Sequence, residues 1–579
     1  MPLLSNFLAA NSTEQRRRIS ALFLVLTLAF GLVQVWACRY DLTPDAMDYL
    51  DIAREVAAGN WGAIANGYWG TLNSVLLAPF LRFHLSPERE LLLAHLQGFL
   101  IVLIAFFAFR FFLNSVLDTI REPRDKDKEP SEEIGLRSLP EWSLCVLGYS
   151  LFLWSSLIIV GVSMFGPDLV VTAFVYLAAG LLLRLRREHR LLNFVAFGFT
   201  LGIGYSAKAI MFPISLVFLA VSILKVPRWK QNLCSVLAFA VVAAPLVLTL
   251  SLQRGRFTFG DSGLLNYSAM VSPGGRVINW QGDPVASGVP KHATRQISVN
   301  PPMYEFNGPI RGTYPPSYDP SYWNEGRRAT FNIRAQVSVF LHHVPHVVEL
   351  LFVTQPSVTA GFLFLLLWSS MGFLRGLLRH WDLLAISLSI VVLYMLVHFE
   401  PRFAGAFVVL IWMSVFLSLR LPASPDAQRI AGLSIVALSV VMLISFTSDT
   451  AKKLVNGCPE SAQSQLEVAR ELALAPDTPI AVVGPGNFSY WAHFARLRII
   501  AEIMSPDDQD FWRLSSDRRR ELYDVFRRTG AQSIIGQPPF SNLLDAGWER
   551  IGTTTYYRYS LITSSGISSH NNQYPLPSR

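Results

Sequence analysis

The chain has 579 residues, 51% of them hydrophobic, 12% aromatic and 16% charged, with a formal net charge of +8. With a mean hydropathy of +0.36, that balance excludes an ordinary soluble protein, and repeated apolar runs of about 17–25 residues mark a polytopic α-helical membrane protein. The positive charge needs no nucleic-acid partner, because much of the Lys and Arg sits in short loops beside the apolar runs, as orientation signals do.

Arg16, Arg17 and Arg18 precede the first apolar run, 19–37. The positive-inside rule then puts the N-terminus in the cytoplasm and the following segment outside. No small-residue cleavage site closes the run, so it reads as a retained anchor. Residues 41–69, DLTPDAMDYLDIAREVAAGNWGAIANGYW, follow at once. Thr43 suits an N-cap, Pro44 the first helical position and Asp45 the first turn. Asp45, Asp48, Ile52 and Glu55 share one helical face. Carboxylates beside hydrocarbon are costly, which favours a working role. Asp45 as a complement to the helix dipole, with Asp48 and Glu55 as a solvated face, is the other reading. Spacing leaves both open.

The external loop spans about 38–90, with interfacial pieces at 61–69 and 76–83. A second span, about 91–113, leads to a mixed-charge, solvated cytoplasmic loop at 121–133. Further spans are expected near 141–161, 168–186, 191–207, 209–225 and 232–252. Their connections alternate between basic (RLRREHR, KVPRWK) and short (GPD, SAK), so every basic loop falls on one side. A second long external segment, about 253–334, is rich in Gly, Pro, Tyr and Trp and reads as an ordered irregular loop. Spans near 357–376, 382–398, 404–420 and 430–447 bring the total to about eleven, which places the C-terminus outside.

From residue 448 the composition turns soluble. Strands are expected at 480–483, 497–503 and 532–535, a helix at 517–529 and a closing strand pair at 548–561. The expected organisation is therefore a membrane domain over 1–447, a small extramembrane α/β domain over 448–564, and a disordered tail over 565–579. GPGN, at 484–487, is too short for a phosphate loop. Of the four cysteines, Cys145 and Cys234 lie in apolar runs. Cys38 and Cys458 both fall on the expected external side, where a disulfide is open to them.

Ionisable groups recur at the external ends of spans: Asp168 in PDLVV, Lys208 in GIGYSAKAIMFP, and His398, Glu400 and Arg402 in HFEPRF. Each has a bland reading, as a helix-start charge, a snorkelling lysine or a loop salt bridge. Jointly they favour function, since chance would scatter them over both membrane faces. His342, His343 and His346 have ligand-like spacing, but Pro345 interrupts the helix and no HExxH pattern exists. They read as an interfacial amphipathic segment, and no metal ligand is assigned.

The stretch DAMDYLDIAREVAAGNW resembles the first external loop of the C-type glycosyltransferases, polytopic enzymes of the GT-C fold. These include the protein O-mannosyltransferases and aminoarabinose transferases, and the likeness is greatest to bacterial RgtA/B/C/D-like members. The match rests on Asp45, Tyr49, Ile52 to Arg54 and Gly59 to Trp61. It extends to Asp168 opening the fourth span, to Gly204, Lys208 and Pro213, and to Arg402 with Phe403. Three departures stand out: Ala46 in place of Glu, TLNSVL at 71–76 in place of a Lys-Pro-Pro element, and Phe403 in place of Tyr.

The resemblance implies inverting transfer of a sugar from a polyprenyl-phosphate donor to a glycan, lipid or protein acceptor, outside a bacterial plasma membrane. Asp45 would act as base and Asp168 would orient the acceptor or a cation. Lys208 and Arg402 would hold the donor phosphate, with Asp48, Tyr49, Tyr68 and Glu400 around the substrate. No cofactor is assigned with certainty by this reading, and a divalent metal at the phosphate is left open. The competing readings are a transporter or flippase, an O-antigen ligase-type polymerase, and a non-catalytic scaffold.

Overall fold

The computed structural model describes residues 12–83, 85–121, 135–272, 294–306, 308, 310–319, 329–369, 372–458, 461–540 and 544–562. The mixed-charge loop, apart from Arg121, and the tail at 565–579 lie outside them. By the density of its contacts the chain falls into two compact units, 1–277 with 327–461 and 278–326 with 462–579.

The first unit is helical. Among the described residues seven helices are long and apolar enough to cross a membrane: Ser12–Ala37, Pro87–Arg121, Glu141–Val160, Asp168–Arg187, Trp229–Arg254, Ile333–Val353 and Pro425–Asn456. An eighth crossing is made if Gly372–Arg379 and Trp381–Met395, bent by 72°, count as one. The expected spans at 191–207, 209–225 and 404–420 are helical but shorter: Leu191–Ala207, Met211–Lys225 and Pro401–Leu417.

One expectation is corrected. The histidine segment is no separate interfacial piece, because Ile333–Val348 runs through Pro345 and continues as a π-helical turn to Val353. A proline inside a helix removes one hydrogen bond, but neighbouring turns still hold it. This helix starts where Gln336 Nε2 donates to the Leu396 carbonyl at 2.7 Å. After a break at Thr354 and Gln355, Pro356–Trp368 carries the chain on, to where Ser369 Oγ donates to the Arg420 carbonyl at 3.3 Å. Ile333–Val353 is long enough to cross by itself, and Pro356–Trp368 is one of the shorter apolar helices.

Those ends differ in charge. Asp168 opens the helix Asp168–Arg187 and Arg186 lies near its close, about 27 Å away at helical rise. Around Arg186 gather the basic connections. Arg186 Nη1 bonds Asp382 Oδ2 at 3.0 Å, and Lys225 Nζ bonds the Arg379 carbonyl at 3.2 Å. The basic loops thus share one end, as the alternation of connections implies. Between the ends, Phe106, Phe109, Phe112, Phe152 and Tyr176 are fully buried and interlock ring against ring. Trp229–Arg254 and Ile333–Val353 bury only 22% and 11% of their most apolar stretch, leaving apolar faces suited to lipid tails.

Cys38, just beyond the first helix, is disulfide-bonded to Cys458, just beyond the last helix of this unit. Asp41 and Ser461 form a β-bridge beside it, and Gln34 Nε2 donates to Thr450 Oγ1 at 3.2 Å. Cys38→Ser is expected to lower unfolding stability by about 2–4 kcal/mol, read as a drop in the thermal midpoint. Thiol titration of the denatured, unreduced chain should find two free thiols, Cys145 and Cys234. Four would contradict the pairing.

The second unit holds a seven-stranded sheet: β1 (Thr294–Val299), β2 (Pro302–Phe306), β3 (Pro479–Val483), β4 (Arg498–Ile503), β5 (Ser533–Gly536), β6 (Trp548–Arg550) and β7 (Tyr557–Ser560), in the order β1-β2-β4-β3-β5-β7-β6. β3 lies parallel to β4 and β5, and the other pairs are antiparallel. Ile480 to Val483 are all buried, as a central parallel strand covered on both faces requires. The strand and helix positions expected after residue 479 are all occupied. The long loop at 253–334 departs from its expected role, because β1 and β2 extend the C-terminal sheet through pairing of Tyr304 with Glu502.

Candidate functional site

Four helix ends of the first unit each contribute one charged side chain. Thr43 caps Pro44–Ala57, its Oγ1 accepting from the Ala46 amide at 3.3 Å, so Asp45 sits in the first turn. Pro167 precedes Asp168 at the start of its helix. Lys208 has an extended backbone (φ −159°, ψ 134°) between Leu191–Ala207 and Met211–Lys225. Pro401 opens the helix that carries Arg402, directly after Glu400. A helix end frees the side chain from the stacked turns, which is why groups from distant segments can meet here.

They do meet. Arg402 Nη2 donates to Asp45 Oδ2 at 2.9 Å, and Arg402 Nε donates to Glu400 Oε2 at 2.6 Å. Asp168 Oδ2 lies 3.7 Å from Arg402 Nε, while Asp168 Oδ1 accepts from Lys208 Nζ at 2.7 Å. His398 Nε2 lies 2.9 Å from Glu400 Oε1. Three carboxylates therefore face Arg402 and Lys208, with the His398 ring beside Glu400. Arg402 is the hub, since its planar fork is suited to several carboxylate oxygens at once. Its side chain is 16% exposed and that of Asp168 10%, against 41% for Asp45, so Asp45 is the most accessible of the three.

Aromatic rings line this network. Lys208 Nζ stands 3.7 Å from the Phe403 ring centre, and Tyr394 stacks on Phe403 at 5.2 Å. A ring face attracts an ammonium, so Phe403 still serves the cation where the resemblance expects Tyr. Tyr49 is buried and packs edge-on against Trp69 at 5.1 Å. Burial, then the charges of Asp45 and Asp168, hold the Tyr49 phenol well above its ordinary pKa. It can donate a proton in a hydrogen bond but will not act as a base.

Burial alone would raise the Glu400 carboxyl, but the hydrogen bond from His398 and the charge and hydrogen bond of Arg402 outweigh it and bring it down to about 2. A lowered carboxylate pKa adds stability above its unfolded value and loses it as pH falls through the folded one. This contribution is thus complete above about pH 4.5 and lost toward pH 2.

The other expected site residues are placed as follows. Tyr68 Oη donates to Asn266 Oδ1 at 3.3 Å, and its ring packs on Trp69. Asp48 is fully buried within its helix, and Glu55 accepts from Asn60 Nδ2 at 2.8 Å on an exposed face. The carboxylate face expected from spacing therefore divides: Asp45 reaches the cationic network, Asp48 is packed inside and Glu55 is solvated. Phe403 entered the sequence reading only as a departure from Tyr, and Trp69 not as a site residue. In a chain with 39 Phe and 14 Trp, aromatic residues carry no pattern that singles these two out.

A cleft is lined among others by Tyr68, Trp69, Gly70, Tyr205, Ser206 and Ala209. Gly70 presses on the helix break that presents Lys208. A Cβ there would stand 1.9 Å from the Ala207 carbonyl oxygen and 2.8 Å from the Lys208 Cα. Backbone cannot yield as a side chain does, so Gly70→Ala is expected to displace Lys208 from Asp168 and to cost about 1–3 kcal/mol. The thermal midpoint should fall, whereas an unchanged value would contradict this close approach.

Each carboxylate of the network already carries an Arg or Lys partner. A cation bound among them would compete with Arg402 and Lys208 for these oxygens. Histidine nitrogens suited to a metal lie nearby instead, at His342, His343 and His346.

No protein-family model matches the chain, and no curated protein does either. Among solved structures the chain is similar to the apo-state crystal structure of ArnT from Cupriavidus metallidurans, 10% identical over 94% of this chain and 97% of that one, with a TM-score of 0.41. It is also similar to the Archaeoglobus fulgidus oligosaccharyltransferase in complex with Zn and sulfate, 12% identical over 88% of this chain and 68% of that one, with a TM-score of 0.42.

Proposed function

We propose that this chain is a membrane glycosyltransferase that moves a sugar, with inversion, from a polyprenyl-phosphate donor to a hydroxyl acceptor. One observation carries the reading: Asp45, Asp168, Lys208, Glu400 and Arg402, spread over more than 350 residues of sequence, gather within hydrogen-bond or ion-pair distance at one end of a helical bundle. Orientation follows from the positive-inside rule, which sets the arginine-rich end in the cytoplasm and Asp45 on the external face.

In this reading the Asp45 carboxylate takes the proton from the acceptor hydroxyl. The hydroxyl oxygen bonds to the anomeric carbon from the side opposite the phosphate, and the bond between that carbon and the phosphate oxygen breaks. The electron pair leaves with the lipid phosphate, whose charge Lys208 and Arg402 offset. Arg402 holds Asp45 at 2.9 Å, and a donor phosphate competes for the same guanidinium. Transfer of Arg402 from Asp45 to the phosphate would give the carboxylate to the acceptor, so the base becomes available when the donor is seated. Asp168 stays with Lys208 and sets its position. Tyr49 and Tyr68 flank the sugar, with the aromatic cleft as its bed.

The experiment is mass analysis of lipid-linked sugars and glycans after incubating the chain, in sealed proteoliposomes, with lipid extracts of the native membrane. A new glycosidic product that requires the protein supports transfer. Flux of a lipid-linked sugar across the bilayer with no new bond would replace this reading with a flippase, and joining of whole lipid-linked glycans with a ligase-type polymerase.

A further inference from the structure

We propose that His342, His343 and His346 form a site for a Zn2+-class divalent cation, separate from the carboxylate network and independent of the glycosyl-transfer reading. Their potential ligand nitrogens all lie within 4.8 Å of one another. The ring centres stand 5.4, 5.3 and 6.2 Å apart. Two nitrogens bound to one tetrahedral Zn2+ lie about 3.4 Å apart, given metal–nitrogen bonds of about 2.1 Å. Binding an ion would draw these nitrogens together by about 1 Å.

The helix supplies the geometry. Because it continues through Pro345, His342 and His346 fall one turn apart on one face. His343, on the adjoining stripe, is buried against His398 and Phe399, with ring centres 6.4 and 6.3 Å away. His346 Nδ1 lies 3.1 Å from the His342 carbonyl. A carbonyl can only accept, so this nitrogen carries the proton and Nε2 keeps its lone pair for a metal. A bond of that kind, made by the ring nitrogen turned away from the metal, fixes the tautomer of metal-binding histidines.

Three neutral imidazoles suit Zn2+, Cu2+ or Ni2+ rather than Mg2+ or Ca2+, which prefer oxygen ligands. Three protein ligands leave a fourth position open for water or an anion. His342 and His346 are not covered by neighbouring side chains. His343 also adjoins His398, which holds Glu400 in the carboxylate network. An ion here would brace the connection between Met395 and Pro401.

The test uses the full chain in detergent, stripped with chelator and titrated with Zn2+ alone, then with Co2+ for its visible absorption. One equivalent of Zn2+ should bind, with a Co2+ spectrum typical of nitrogen ligation. His342→Ala and His346→Ala should each weaken Zn2+ binding by at least about 100-fold, since even losing a group that only hydrogen-bonds a ligand costs about 10–100-fold. Both positions are exposed and Ala favours helix, so the fold should persist, as a single symmetric size-exclusion peak would verify. Asp45→Asn should bind Zn2+ unchanged. Absence of tight binding in the wild type, full binding by the His342→Ala/His346→Ala double variant, or loss of binding in Asp45→Asn would each overturn the site.

Discussion

Asp45→Asn is expected to lower sugar transfer by about 10²- to 10⁴-fold, the usual contribution of a positioned general base. The change keeps the side chain's shape, its place in the first turn of Pro44–Ala57, and an oxygen that can still accept from Arg402 Nη2. It removes only the negative charge and the proton acceptor. Asp45 is also the most exposed of the three carboxylates, so little folding energy hangs on its charge. The loss should therefore appear in kcat, while membrane insertion, the thermal midpoint and the Cys38–Cys458 bond stay as in the wild type. Full activity in this variant would end the base assignment. A large rise in KM with kcat unchanged would move Asp45 from chemistry to binding.

Arg402→Ala is expected to abolish transfer and to destabilise the fold as well. Arg402 contacts Asp45, Asp168 and Glu400 at once, and Asp168 is nearly buried. Breaking a buried ion pair by removing one partner leaves a charge without compensation. The cost should be about 3 kcal/mol, the low end of the range for buried pairs, because Asp45 and Glu400 remain in touch with solvent. Arg402→Lys separates the two roles. A single ammonium restores the charge and so should recover most of the thermal midpoint, yet it cannot reach three carboxylates or grip a phosphate with two parallel bonds. Transfer should stay at least about tenfold down in the lysine variant. Equal activity in the lysine variant and the wild type would reduce Arg402 to a simple counter-ion.

Much of this site was legible from residue type and span position. Asp168, Lys208, Glu400 and Arg402 stand out because ionisable groups are rare beside apolar runs, and each falls at the same end of its run. Asp45 stands out through its cap, since Thr43 and Pro44 announce a helix start and set the carboxylate in its first turn. Asp48 illustrates the limit. Spacing puts it on the face of Asp45, but a helical period says which residues share a side and not which neighbour covers that side. The histidines illustrate a second limit. Pro345 reads as a helix break by local propensity, whereas the helix persists because its neighbouring turns and the packing around His343 hold it.

Local chemistry was enough to establish the polytopic helical character, the two contrasting ends of the bundle and the strands of the C-terminal sheet, because hydropathy, charge placement and alternation act within a few residues. Contacts between distant segments had to come from the tertiary structure. Arg402 pairs with a carboxylate 357 positions away, Cys38 with a thiol 420 positions away, and strands from residues 294–306 join a sheet built mainly after residue 479. Such pairings depend on how whole helices and strands pack, and a one-dimensional pattern of residue types does not encode the register of one element against another.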